Sequence, residues 1–144
     1  MKITLRTAIE DDLAILDSIH TKNMRDYVEQ NYPWNGNFFK SKFVPDDYIV
    51  ILQQREIIGF LKIVTENDSL YLGEIQIKDA YQNQGIGTRI LQSIIERGKS
   101  KYRRIWLRVL KGNPAIKLYQ RLNFEVFTET ETHYKMQLIF YNNI

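Results

Sequence analysis

A chain of 144 residues, 44% hydrophobic and 26% charged, has the length and ordinary globular composition of one average domain, which argues against both a disordered protein and a two-domain enzyme. With no cysteine, disulfide frameworks, thiolate-ligated zinc, CxxC redox centres and any cysteine nucleophile are excluded. The net charge of +3 is unevenly spread: residues 1–72 carry 8 Lys/Arg against 11 Asp/Glu and residues 73–144 carry 12 against 6, so the second half suits an anionic ligand. No apolar run approaches the roughly 18 residues of a membrane span, and no signal-peptide pattern opens the chain. The expectation is a soluble cytoplasmic protein, one domain over 1–144, with no membrane partner.

In chain order, Ile3 and Leu5 alternate with polar neighbours as a strand, and Glu10, Asp11 and Asp12 suit the first turn of a helix that follows. Leu13, Leu16, Ile19 and Met24 give that helix its apolar spacing. The aromatic stretch Tyr27 to Phe39 has no clear period and reads as a broken or second helix plus loop. Two β-rich runs, Tyr48 to Leu52 and Ile57 to Val64, flank the turn Gln53-Gln54-Arg55, and Asn67-Asp68 precedes a third run, Leu70 to Ile77. These three runs predict an antiparallel meander.

The period then changes. Ile86, Ile90, Leu91, Ile94 and Ile95 form a helical stripe that fades near Gly98, and Arg104 to Leu110 reads as a strand. In Gly112-Asn113-Pro114, Asn113 suits an N-cap and Pro114 the first helical position, with Ala115, Leu118, Tyr119 and Leu122 on one face. Asn123 suits a left-handed helix end, and two last strands, Phe124 to Glu131 and His133 to Phe140, are expected to pair.

Between the third run and the striped helix lies Gln82-Asn83-Gln84-Gly85-Ile86-Gly87-Thr88. Its glycines let the backbone approach a ligand, and the free amides at a helix start can cradle an anion. The same glycines would also serve a plain tight turn. No Lys-Ser/Thr follows the second glycine, which excludes a Walker loop, and Ile90 stands where a dinucleotide fingerprint needs its third glycine.

The pattern Gln82-x-x-Gly85-x-Gly87 resembles the (Arg/Gln)-x-x-Gly-x-(Gly/Ala) motif of the GNAT superfamily of acetyl-CoA-dependent N-acetyltransferases, and Asn113 to Phe124 resembles that family's second signature. The resemblance implies an α/β (α+β) fold with a mixed, mostly antiparallel sheet of about six to seven strands, flanking helices, and a splayed fourth and fifth strand. It also implies acetyl-CoA as co-substrate, with the pantetheine arm along the backbone of Ile75 and Ile77. The pyrophosphate is placed on amides of Gln82, Asn83, Gln84, Gly85, Ile86, Gly87 and Thr88, and Asn113 is a further cofactor contact. Arg89, Lys117 and Arg121 are candidates for the 3′-phosphate. Gln82 for the commoner arginine, Asp79 for a frequent proline and Asn123 for glycine are departures, and Asn113 lies one position closer to the alanine than in many members.

Acetyl transfer from a thioester needs a neutral amine, a stabilised oxyanion and a proton for the departing thiolate. Without cysteine an acyl-cysteine route is impossible, so direct attack in a ternary complex is expected. By resemblance Tyr119 is the acid and Glu74 the base, with His133 and Tyr134 on the last strand as the second choice and the N–H of Ile75 as oxyanion donor. Glu74 equally suits a solvent-facing strand position. His20 reads as structural. Tyr27, Trp34 and Phe38, with Asp26 and Glu29, form an aromatic and acidic group suited to a cationic amine, small molecule or peptide. Neither a metal nor a nucleic acid is expected: the basic run Lys99, Lys101, Arg103, Arg104 around Tyr102 better fits a helix end. A monomer or homodimer fits, and the competing function is a catalytically silent CoA-binding or regulatory module.

Overall fold

Alternating side chains and left-handed turn residues build most of the sheet. The computed structural model describes residues 2–141. Its strands are β1 (Ile3–Thr7), β2 (Tyr48–Gln53), β3 (Glu56–Glu66), β4 (Ser69–Ile77), β5 (Arg104–Leu110), β6 (Glu125–Glu129) and β7 (His133–Ile139). The helices are α1 (Leu13–Val28), α2 (Phe38–Lys42), α3 (Ile86–Gly98) and α4 (Ala115–Arg121). The strand order is β1-β2-β3-β4-β5-β7-β6. β1–β2, β2–β3, β5–β7 and β6–β7 are antiparallel and β4–β5 is parallel. This is the mixed, mostly antiparallel sheet with flanking helices expected above. The β4–β5 ladder runs only from Ser69 to Leu72 opposite Arg104 to Leu107, and β4 continues beyond it to Ile77.

By internal contacts the chain forms two compact units. The first comprises the chain through Ile63 together with Glu74–Ile86. The second comprises Val64–Gly73 and the chain from Gly87 onward.

In the first unit the β2–β3 hairpin closes at Gln54, whose φ of 56° absorbs the reversal. α1 buries Leu16 and Ile19 against Ala8, Phe39, Tyr48, Val50 and Phe60, each worth roughly 1.5–3 kcal/mol of apolar burial for the larger side chains. The acidic triplet does not begin α1: Glu10–Asp12 is a separate single 3₁₀ turn. Its last residue explains why. Asp12 accepts from both terminal nitrogens of Arg6, at 2.8 and 3.0 Å, and from the Ile9 N–H at 2.8 Å, which fixes the turn before the helix starts. In the aromatic stretch, α2 turns Phe39 into the core at 6% exposure and leaves Phe38 at 56%, with Lys42 over its ring. Gly59 in β3 meets β4 so closely that a Cβ there would lie 2.3 Å from the Gln76 carbonyl oxygen.

In the second unit Asn67, at φ 55°, turns β3 into β4. β5 alternates, burying Ile105, Leu107 and Val109, while α3 buries Ile90 and Leu91. The Asn113 side chain caps α4 as expected, accepting from the Ala115 N–H at 2.9 Å, and Asn123 ends it in the left-handed region at φ 72°. The basic run is engaged by its own unit. Lys99 pairs with Glu96 at 2.9 Å, Arg103 with Asp68 at 3.4 Å, and Arg104 bonds Ser69 and Gln137 at 3.2 and 2.8 Å.

Candidate active site

On β4, Leu72, Glu74 and Gln76 share one face because side chains alternate along a strand, and Leu72 and Gln76 are buried. Two polar groups on a buried face need partners. α1 supplies them from His20 and Asn23, three residues apart and therefore neighbours on one side of the helix. His20 Nδ1 bonds Glu74 Oε2, and Gln76 Nε2 donates to that same oxygen at 2.9 Å. Asn23 Nδ2 donates to Gln76 Oε1 at 3.1 Å and to the Ile77 carbonyl at 2.9 Å. The His20 and Glu74 side chains keep 18% and 15% exposure, enough to meet solvent at an edge.

Rings fix the histidine. Phe39 stacks on His20 with centroids 4.7 Å apart and Trp34 at 5.7 Å, so Trp34 joins Glu74's surroundings through His20. Tyr48 lies on the same side: burial pushes its phenol well above the ordinary range, and the charges of Glu74 and Asp47 add to the effect. It stays protonated.

After β4 the chain passes through the turn Asp79–Tyr81 into the glycine loop. Asn83 and Gly85 take left-handed conformations at φ 61° and 79°, and Gln82 to Gly85 are exposed, with space around the Gly85 Cα. α3 has no acidic residue in its first turn, so nothing there opposes a bound anion at its positive end. A loop of this kind before a helix start suits an anion. Gln82 is engaged twice within its own unit: its backbone N–H donates to the Asp79 carbonyl at 3.2 Å, so it is not a free amide of the loop, and its Nε2 donates to the Ile77 carbonyl at 2.9 Å. With Asn23 that makes two donors, one for each lone pair of that oxygen. Gln84 ties the loop to its preceding turn by donating to the Ala80 carbonyl at 3.1 Å.

The other candidates divide as follows. Tyr27 is half-buried, Asp26 is exposed, and Glu29 pairs with Arg25 at 3.2 Å. In the second unit Tyr119 is buried against Phe124, with ring centroids 5.9 Å apart. His133 Nδ1 bonds Thr132 Oγ1 at 2.8 Å, and burial, with Arg108 adding, holds the imidazole below its ordinary range and therefore neutral near pH 7. Tyr134 lies under Lys111 Nζ, 5.1 Å from its ring. Arg89, Lys117 and Arg121 are exposed.

Sequence reading did not find His20, Asn23, Gln76 or Tyr48. His20, read as structural, bonds Glu74 through its Nδ1. No group of three or more His, Asp or Glu among the described residues is placed to hold a metal, and no helix among them is long and apolar enough to cross a membrane.

Known proteins resemble the chain in sequence and in fold. An uncharacterized N-acetyltransferase of Methanocaldococcus jannaschii is 27% identical over 137 residues, covering 85% of this chain and 60% of that relative's length. A spermine/spermidine N(1)-acetyltransferase of Bacillus subtilis is 23% identical over 137 residues, covering 87% of this chain and 89% of its own. The fold matches the PaiA N-acetyltransferase of Thermoplasma acidophilum, solved with coenzyme A, at a TM-score of 0.79 and 16% identity over 96% of this chain and 99% of that one. The model of the acetyltransferase (GNAT) family matches residues 13–124, and with most of its length so matched the chain belongs to that family.

Proposed function

We propose that this chain moves the acetyl group of acetyl-CoA to a primary amine by direct attack in a ternary complex. The observation that carries the reading is the partly buried Glu74 carboxylate, whose Oε2 is held by His20 and Gln76 and whose side chain keeps 15% exposure. A carboxylate fixed by one oxygen and still reaching solvent can take a proton from a bound ammonium and present the amine neutral. The amine nitrogen then bonds to the thioester carbonyl carbon while the Ile75 N–H steadies the oxyanion. As the oxyanion collapses the C–S bond breaks and Tyr119 gives its proton to the thiolate, the second proton of the new amide nitrogen leaves to water, and Tyr119 regains one proton from water, so that the net proton released is the one Glu74 took.

The left-handed residues Asn83 and Gly85 in the loop before α3 support coenzyme A binding through its pyrophosphate, and the Thermoplasma neighbour contains that molecule. Since both lone pairs of the Ile77 carbonyl are used, any pantetheine contact at Ile77 is left to its N–H. The Bacillus relative's name gives polyamines as acceptors for that protein, and an aromatic wall of Trp34 beside a carboxylate suits a cationic amine here.

The test is thiol release from acetyl-CoA over a panel of polyamines, amino acids and peptide N-termini. Because the chain has no cysteine, a thiol-reactive chromophore reports product with no protein background. Turnover with some amine is expected, and Tyr119→Phe should lower kcat by roughly 10²-fold or more while leaving cofactor affinity in place. An unchanged kcat removes Tyr119 from the acid role. Calorimetric binding of acetyl-CoA with no turnover across the panel would favour a silent CoA-binding module.

A further inference from the structure

We infer that His20 is the positioning residue of the proton acceptor: its Nδ1–H holds Glu74 by Oε2 so that Oε1 faces the incoming amine. The inference rests on the acetyl-transfer reading and adds a residue to it. Three observations point the same way. The bond is made to the oxygen that Gln76 also holds, so the two donors together fix the plane of the carboxylate rather than competing with a substrate for its second oxygen. The ring is itself immobilised, stacked at 28° and 30° between Phe39 and Trp34, and Phe39 is part of the buried core. Gln76 is in turn held by Asn23, one turn along α1 from His20, so a single helix face sets both donors.

A carboxylate left to itself on a strand samples several rotamers, and fixing one of them is what preorganises a base. Carboxylate fixation by two donors also explains the polarity of an otherwise apolar helix side. From α1, the donor placed on Oε2 is His20 Nδ1. An asparagine amide nitrogen occupies nearly the place of Nδ1, whereas phenylalanine keeps the stack and has no donor.

His20→Phe and His20→Asn are therefore compared with the wild type, each first checked for melting temperature. With the best amine of the panel, His20→Phe should lower kcat by roughly 10-fold or more with KM for acetyl-CoA unchanged, and His20→Asn should recover most of the loss. In parallel, a ¹⁵N-resolved imidazole spectrum should show an Nδ1 proton signal of His20 that disappears in Glu74→Gln while the His133 signals stay put. A folded His20→Phe with wild-type kcat overturns the inference, as does a His20→Asn no better than His20→Phe, or a His20 spectrum indifferent to Glu74. A wild-type protein that binds acetyl-CoA and acetylates no amine overturns the acetyl-transfer reading itself, and the role of His20 with it.

Discussion

Gly59→Ala tests how tightly β3 and β4 are set in the first unit. A Cβ built on Gly59 falls 2.3 Å from the Gln76 carbonyl oxygen, 3.1 Å from Ile77 Cδ1 and 3.2 Å from Ile77 Cα. The carbonyl belongs to backbone, so relief requires β4 to retreat by about 1 Å at that point to reach ordinary contact. Gly59 has no positive φ. Alanine thus meets no conformational penalty, and the whole effect is steric. Overpacking of this kind costs roughly 1–3 kcal/mol, and weakening the neighbouring bond from the Lys78 N–H to the Ile58 carbonyl, 2.7 Å long, adds about 1 kcal/mol. For a chain of this length a loss of about 3 kcal/mol lowers the melting temperature by about 10 °C. Glu74 lies two residues from the displaced carbonyl, so kcat should fall alongside stability. Scanning calorimetry and steady-state kinetics on the same preparation measure both. A variant melting within about 2 °C of wild type with unchanged kcat would show that β4 yields freely and that the close approach has no mechanical consequence.

Gly85→Ala presents the opposite case, since open space surrounds its Cα but φ is +79°. The expected cost is conformational, about 1 kcal/mol, and is seen as a several-fold weaker coenzyme A affinity by calorimetry, with Gly85→Asn retaining more affinity than Gly85→Ala. Asp12→Asn should destabilise by about 1–2 kcal/mol at pH 7 through loss of the Arg6 pair. Hydrogen bonding from Arg6, the leading cause, holds the Asp12 carboxyl below its ordinary value of about 3.9. The depressed folded-state value means that this stability is fully present above about pH 4 and is lost as pH falls through the folded pKa. The wild type and Asp12→Asn melting curves should therefore converge in acid, and a gap that stays constant down to pH 2 would contradict the assignment.

Strands and long helices were legible because burial on one face imposes a period, and the glycine loop because left-handed turns demand particular residues. Gln54, Asn67, Asn83 and Asn123 all take positive φ, three of them at the residue type that bears it most easily. What stayed hidden depends on neighbours in space. Phe38 and Phe39 are adjacent aromatics, yet α2 is only five residues long, too short to show a period, and only the fold decides which one enters the core. Gln82 was read through its backbone amide alone, whereas its side chain closes the end of β4. The pairing of His20 with Glu74 spans 54 residues, and no local pattern encodes such a distance.

One signal for that pairing was nevertheless present in the sequence. Leu72, Glu74 and Gln76 alternate on one face of a strand, and a face that begins apolar and becomes polar has two groups that burial would strand without partners. The partners must come from an element packed on that face at matching spacing. Two residues on a strand are about 6.6 Å apart and three on a helix about 4.5 Å, close enough for paired side chains to bridge. α1 is the long helix whose Leu16 and Ile19 enter the first unit's core, and the next residues on that side, four further along from each, are His20 and Asn23. Core packing therefore brings the helix to the strand, and continuation of the same helical period past the core residues brings the donors to Glu74 and Gln76. On this argument the apolar stripe and the candidate proton acceptor are one periodic feature, and substitutions that rotate α1, such as a bulkier residue at Leu16, should impair the base before they unfold the protein.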